Sequence, residues 1–237
     1  MMQEKSVSSS FVLGVLIAAG LIGMSFFISE AVLKVKSMER SVSVKGLAQK
    51  HVKADTAIFP IRFQNVAPTM DELSQKMKID LAEIKAFLHE LGFENKEITI
   101  SAPQFNDRLS QSYNNYNPKV RYSADSLVTV YSKKVDLVVK LQRELYLLTE
   151  KGVFARNDQY ETKYMFTGLN TIKPEMIEIA TKNARATASK FAKDSHSKLG
   201  KIEHASQGYF SINDRDPSTP YIKEVRVVTN ISYYLND

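Results

Sequence analysis

The chain has no cysteine and no tryptophan among its 237 residues. The missing thiol excludes disulfides, thiolate metal sites, lipoprotein attachment and a cysteine nucleophile. Histidine is scarce: His51, His89, His196 and His204 are the full set. None belongs to an HxxxH pair or has a carboxylate at ligand spacing. His196 and His204 fall on a helix and the next strand, where they could approach, yet two histidines without further ligands make no metal signature. Glycine is too scattered for a phosphate-cradling loop, and no G-x-S-x-G elbow occurs. Gly92, Gly152 and Gly200 are read as following helices, Gly46 lies in a strand, and Gly168 and Gly208 stand alone. The acid pairs Asp71-Glu72 and Asp214 with Asp216 fall at a helix start and in a turn, where capping and turn formation account for them. The formal charge of +6 is modest. It implies a mild preference for anionic surfaces and no nucleic-acid footprint. No catalytic, cofactor-binding or metal-binding residue is therefore assigned.

What is present is an uncharged apolar run over residues 11–28, with Ser25 its only polar side chain. As a helix rising about 1.5 Å per residue it nearly spans a hydrocarbon core of roughly 30 Å, and residues 31–35 extend it. The organisation expected is a short tail over 1–10, a transmembrane anchor over 11–35, a linker over 36–40 and one domain over 41–237. The alternative is a cleaved signal, for which Ser29-Glu30-Ala31 offers small residues at the right spacing. Length favours the anchor. Orientation is poorly determined by charge, because Lys5 precedes the run while Lys34, Lys36 and Arg40 follow it.

The remaining residues read as α+β, with antiparallel sheets and helices packed on their faces in the order ββαββαβαββ. A first strand alternates through Val42, Val44 and Gly46, and a turn is expected at 49–53. A second strand points Ala57, Phe59, Ile61 and Phe63 one way, and Pro60 marks it as an edge or a bulge. Thr69 caps a helix whose Leu73, Met77, Leu81, Ile84, Leu88 and Leu91 share a face, closed by Gly92. Strands over 97–105 and 119–131 follow. A second helix over 134–151 buries Val138, Leu141, Leu145 and Leu148, and a strand covers 153–166. A third helix takes Pro174 in its first turn and runs to Gly200, with Ile177, Ala180, Ala184, Ala188, Phe191 and Ala192 inward. Two strands close the chain, the last alternating from Val225 to Leu235. The loops 106–118 and 213–221 are the mobile candidates.

Two surfaces qualify as binding features. Lys182, Arg185, Lys190 and Lys193 share one face of the third helix and would suit an anionic envelope component, or form an ordinary solvated face. Tyr113 and Tyr116 stand among amides in the loop 106–118, a composition suited to adaptable contacts or to a plain hairpin tip.

The segment RSVSVKGLAQKHVKADTAIF (residues 40–59) resembles the opening of SIMPL-domain proteins, with Gly46 ending an alternating strand and Val52, Asp55 and Ala57 forming a V-x-x-D-x-A pattern. The Ala-rich helix leading to Leu199-Gly200-Lys201-Ile202 is similar to that family's last helix and its exit into a strand. The resemblance covers roughly residues 40–235. It implies a cell-envelope location with the carboxyl domain in the periplasm or outside the cell, a link to oxidative or envelope stress tolerance, and ring-like self-assembly. It carries no catalytic residue. The expected function is thus a membrane-anchored, non-enzymatic SIMPL-type protein that forms a homo-oligomer or scaffold. The alternative is a hydrolase-like envelope enzyme whose site forms only in the fold.

Overall fold

Fifteen α-helices and strands, with a short 3-10 turn at Asn95–Glu97, follow one another in the computed structural model, which describes residues 4–37, 40–110, 120–157 and 161–236. They are α1 (Glu4–Ser37), β1 (Ser41–Lys53), β2 (Thr56–Ala67), α2 (Met70–Glu90), β3 (Ile98–Ile100), β4 (Gln104–Asp107) and β5 (Tyr122–Ser132). Then come α3 (Val135–Glu144), α4 (Leu147–Glu150), β6 (Ala155–Arg156), β7 (Lys163–Met165), α5 (Leu169–Asp194), β8 (Lys198–Gln207), β9 (Ser211–Asp214) and β10 (Ile222–Asn236). The class is mixed α+β with antiparallel pairing, as the alternation implied. The chain divides into two compact units. One joins Met1–Gln49, Pro174–Phe210 and Arg226–Asp237; the other joins Lys50–Lys173 and Ser211–Val225.

In the first unit, α1 holds an apolar stretch, Phe11–Lys34, of mean hydropathy 2.5 and with none of its residues buried in the protein. This single helix is long and apolar enough to cross a membrane. The sheet order is β1-β10-β8, with Leu235 N–H donating to the Arg40 carbonyl at 2.8 Å. Met176, Ala180, Ala184, Ala188 and Ala192 form the buried stripe of α5. Val44, Ala184, Ala188, Ile231 and Tyr233 pack together as one core. Small residues are needed on both sides: a Cβ on Gly46 would lie 1.9 Å from the Ala180 carbonyl oxygen and 2.8 Å from the Ala184 Cβ. Of the residues expected inward, Phe191 is 57% exposed and Ile177 only half-buried, with its neighbour Met176 buried instead of Ile177.

The second unit has a sheet in the order β3-β5-β2-β6, with β4 also on β5 and β7 also on β2. Ala57, Phe59, Ile61 and Phe63 face inward as the alternation required, against Val128 and Val130 of β5 and Leu73, Ile84 and Leu88 of α2. Burying each of the larger of these side chains contributes about 1.5–3 kcal/mol. Thr69 caps α2, its hydroxyl oxygen accepting from Glu72 N–H at 3.3 Å. Gly92, at φ 100°, ends that helix, with Phe93 N–H reaching back to the Leu88 carbonyl.

Several expectations are corrected. Strand β2 is interior, not an edge, because β5 pairs it on one side and β6 and β7 on the other. Pro60 is tolerated because β7 meets residues 56–58 and β6 meets 62–63, leaving no strand partner between them among the described residues. Its carbonyl faces that gap and accepts from Asn157 Nδ2 at 2.6 Å, so the missing N–H faces the gap too. The strand β1 continues to Lys53, and the turn falls at Ala54 and Asp55. The strands read over 97–105 and 153–166 each split in two, and the helix over 134–151 breaks at Leu145 and Tyr146. Helix α5 starts at Leu169, which puts Pro174 inside it, and a further strand, β9, precedes the last.

The end of α5 is the clearest miss. The helix stops at Asp194, and Gly200 lies within β8. His196, at φ 55°, takes the left-handed stop position, and Ser197 N–H reaches the Ala192 carbonyl at 2.8 Å. Glycine usually fills that position, so the sequence carried no stop sign there.

Candidate functional site

Asp55, the acid of the family-like pattern, sits just after β1 and accepts four kinds of donor. Thr167 N–H donates at 2.7 Å, Gly168 N–H at 3.0 Å, Thr56 Oγ1 at 2.9 Å and Thr167 Oγ1 at 3.1 Å. Burial raises its pKa, but the bonds from Thr167, Thr56 and Gly168 outweigh it and hold the carboxyl below the usual range. The carboxylate ties the β1–β2 turn to the residues that lead into α5. Its role is structural.

Glu97 behaves alike. Ser132 Oγ donates to it at 2.6 Å, Glu94 N–H at 2.8 Å and Lys134 Nζ at 2.9 Å. Burial pushes its pKa up, and the bonds from Ser132, Glu94 and Lys134 prevail and lower it. In the 213–221 loop, Asp216 accepts from the Thr219 hydroxyl, from Arg215 Nε at 2.8 Å and from Ser218 N–H at 2.9 Å. Hydrogen bonds from Thr219 and Arg215 bring its pKa down to about 2. A loop expected to be mobile is thus tightly hydrogen-bonded.

The histidines stay apart in role. His51 Nε2 lies 3.5 Å from Glu224, and His89 Nδ1 lies 2.9 Å from the Phe93 carbonyl. His196 closes α5, and His204 lies in β8. Among the described residues no group of three His, Asp or Glu side chains could hold a metal ion. Lys182, Arg185, Lys190 and Lys193 are all exposed on α5, with Lys182 paired to Glu178 on the same helix. Tyr113 and Tyr116 lie outside the described residues.

The feature that sequence reasoning missed is a cleft of about 350 Å³ on the second unit, lined among others by Arg62, Arg156, Asp125, Gln104 and Ser101. The alternation that buries Phe63 turns Arg62 and Gln64 outward. Register then sets Arg62 opposite Arg156 of β6, while Gln64 and Gln104 both stand opposite Asp125 of β5. Glu161 accepts from Arg62 Nε at 3.0 Å and Nη2 at 2.8 Å, a two-point pair. Gln64 Nε2 donates to Asp125 at 3.2 Å. Two arginines, a glutamine, two serines and one carboxylate line it together, an arrangement suited to holding a group. Only the pairing of β2 with β6 unites the two arginines, and no spacing in the sequence announces it.

No curated protein matches the chain. The SIMPL family, described as "Protein of unknown function (DUF541)", matches residues 42–232. The match takes in Gly46, Asp55 and the whole of α5, and it begins just after the apolar helix. With well over half its length matched, the chain belongs to the SIMPL family.

Proposed function

We propose that this is a single-pass membrane protein whose SIMPL domain faces away from the cytoplasm and acts there without catalysis, by self-association, in support of envelope stress tolerance. The observation that carries the reading is the helix Phe11–Lys34, uncharged from Phe11 to Ser29 and with none of its residues buried in the protein. A membrane supplies the cover that such a helix lacks. The non-enzymatic role is supported by the use made of the strongest polar clusters: those of Asp55, Glu97 and Asp216 each close a turn or join elements. The exposed cations Lys182, Arg185, Lys190 and Lys193 would meet anionic envelope material, an attraction that salt screens.

Protease added to cells with a permeabilised outer layer should degrade the domain and leave a small membrane-embedded fragment. A fully protected domain refutes the orientation, and a mature amino terminus near Val32 refutes the anchor.

Self-association finds support in the first unit. Ile202 stands opposite the buried Tyr233 yet is 51% exposed, and Phe191 of α5 is exposed too. The free backbone edge of β8 is a poor docking strip, because Lys198 and Lys201 line it and its register with β10 shifts twice. Side chains, not strand addition, therefore form the contact. In the anchor, Ala19 and Gly23 are a small-xxx-small pair that lets two helices approach. Chains held in one membrane plane also meet at high effective concentration. Full-length protein in mild detergent should be oligomeric by light scattering, and Ile202→Asp should dissociate it while leaving the circular dichroism unchanged. A monomeric wild type rules the reading out.

A further inference from the structure

The outer cleft of the second unit contains an arrangement that folding alone does not explain. Arg62 and Arg156 stand directly opposite each other on adjacent antiparallel strands. Cβ atoms in such pairs lie about 4.5–5.5 Å apart, and like charges placed this way repel. Glu161 engages Arg62 through both of its oxygens, orienting that guanidinium. Arg156 has no ion pair with any described residue, although it lines the cleft. A planar guanidinium presents its donors as a fork that matches the oxygens of a carboxylate or phosphate. A cleft of about 350 Å³ also falls within the size range of small-ligand sites.

Asp125 narrows the ligand class. It lines the same cleft and would repel a bare anion. One of its oxygens takes Gln64, and the carboxylate keeps capacity for another donor. The most favourable occupant therefore carries an oxyanion for the arginines and a hydroxyl next to it for Asp125. Ser101 and Gln104 add polar lining to the cleft. We propose that this cleft binds a hydroxyl-bearing oxyanion, a phosphate monoester of a polyol or a hydroxy acid, with Arg156 as the principal anion contact and Asp125 as the acceptor that selects the hydroxyl. The source is either a free small molecule or the same group at the end of an envelope polymer.

Full-length protein in mild detergent, titrated calorimetrically at constant ionic strength, tests this with four probes: inorganic phosphate, glycerol 3-phosphate, acetate and lactate. Glycerol 3-phosphate should bind saturably and more tightly than inorganic phosphate, and lactate more tightly than acetate. Arg156→Gln removes a charged donor pair and should weaken every probe about tenfold or more. Asp125→Asn should retain binding and erase the preference for the hydroxyl. A short glycerol-phosphate polymer that competes with glycerol 3-phosphate would identify the polymer as a source, and failure to compete would leave the free molecule. Affinities unchanged in Arg156→Gln, or responses that merely follow ionic strength with all anions alike, overturn the proposal. Because Arg156 is exposed and lies in a two-residue strand, the variant is expected to fold, which its unchanged melting curve without ligand will verify.

Discussion

Gly46→Ala should destabilise the first unit by about 3 kcal/mol, the upper range for forcing atoms into a packed core. The added methyl would sit 1.9 Å from the Ala180 carbonyl oxygen, far inside van der Waals contact. That oxygen belongs to the backbone of α5, so no rotamer change can relieve the clash, and the helix must move off the sheet. The melting temperature should fall by roughly 6–12 °C for a protein of this size. Hydrogen exchange should locate the loss at Val44 and Ile231, which form the core beneath the helix. Adding Ala184→Gly removes the methyl at 2.8 Å but leaves the Ala180 carbonyl and the Ala184 backbone nitrogen, at 2.7 Å, in place. Rescue should therefore be partial at best. A Gly46→Ala protein melting within about 2 °C of the wild type, less than 1 kcal/mol by the same scaling, would show that α5 docks more loosely than this geometry requires.

Asp55→Ala should cost about 2–4 kcal/mol at neutral pH. Hydrogen bonds to an ionised group contribute roughly 1.5–3 kcal/mol each, and they are not additive within one cluster. The substitution strips the carboxylate from the Thr167 and Gly168 N–H groups and from two threonine hydroxyls. The folded-state pKa of Asp55 lies below its ordinary value. Its stabilising contribution is therefore fully present above the unfolded pKa, near 3.9, and is lost as pH falls through the lower folded value. Urea melts should thus show a wide gap between wild type and variant at pH 7 that narrows progressively in acid. A gap of constant width would mean that Asp55 acts through shape alone. Asp55→Asn keeps one acceptor oxygen and should fall between the two.

The two substitutions bear on how far the amino-acid pattern reveals the molecule. Strands and helices with strong periodicity were legible: β2, α2 and β10 turn inward the residues that their alternation selected. The family-like residues were visible, but their tasks were not. Gly46 is a clearance for α5 and Asp55 is a clamp, and both depend on partners more than a hundred positions away. Local signals also misled where tertiary context overrode them. Pro60 signified an edge because a missing N–H cannot join a ladder, yet the neighbouring strand is interrupted at that point. Gly200 signified a helix stop, while His196 adopted the left-handed conformation four residues earlier. The arginine cleft lay beyond reach because strand register, and nothing in linear spacing, sets Arg62 beside Arg156.

The position of β10 between β1 and β8 has a consequence for synthesis. Strand β1 is among the first parts of the domain to leave the ribosome, and its partner is the last. Arg40 must wait for Leu235 before their bond can close. Much of the second unit is contiguous in sequence, so its sheet can assemble while the chain is still emerging. The first unit has no middle strand until β10 appears. A nascent chain therefore carries an alternating β1 without its β10 partner while the rest of the domain is made, and a chain cut short before β10 never acquires the sheet on which α5 rests.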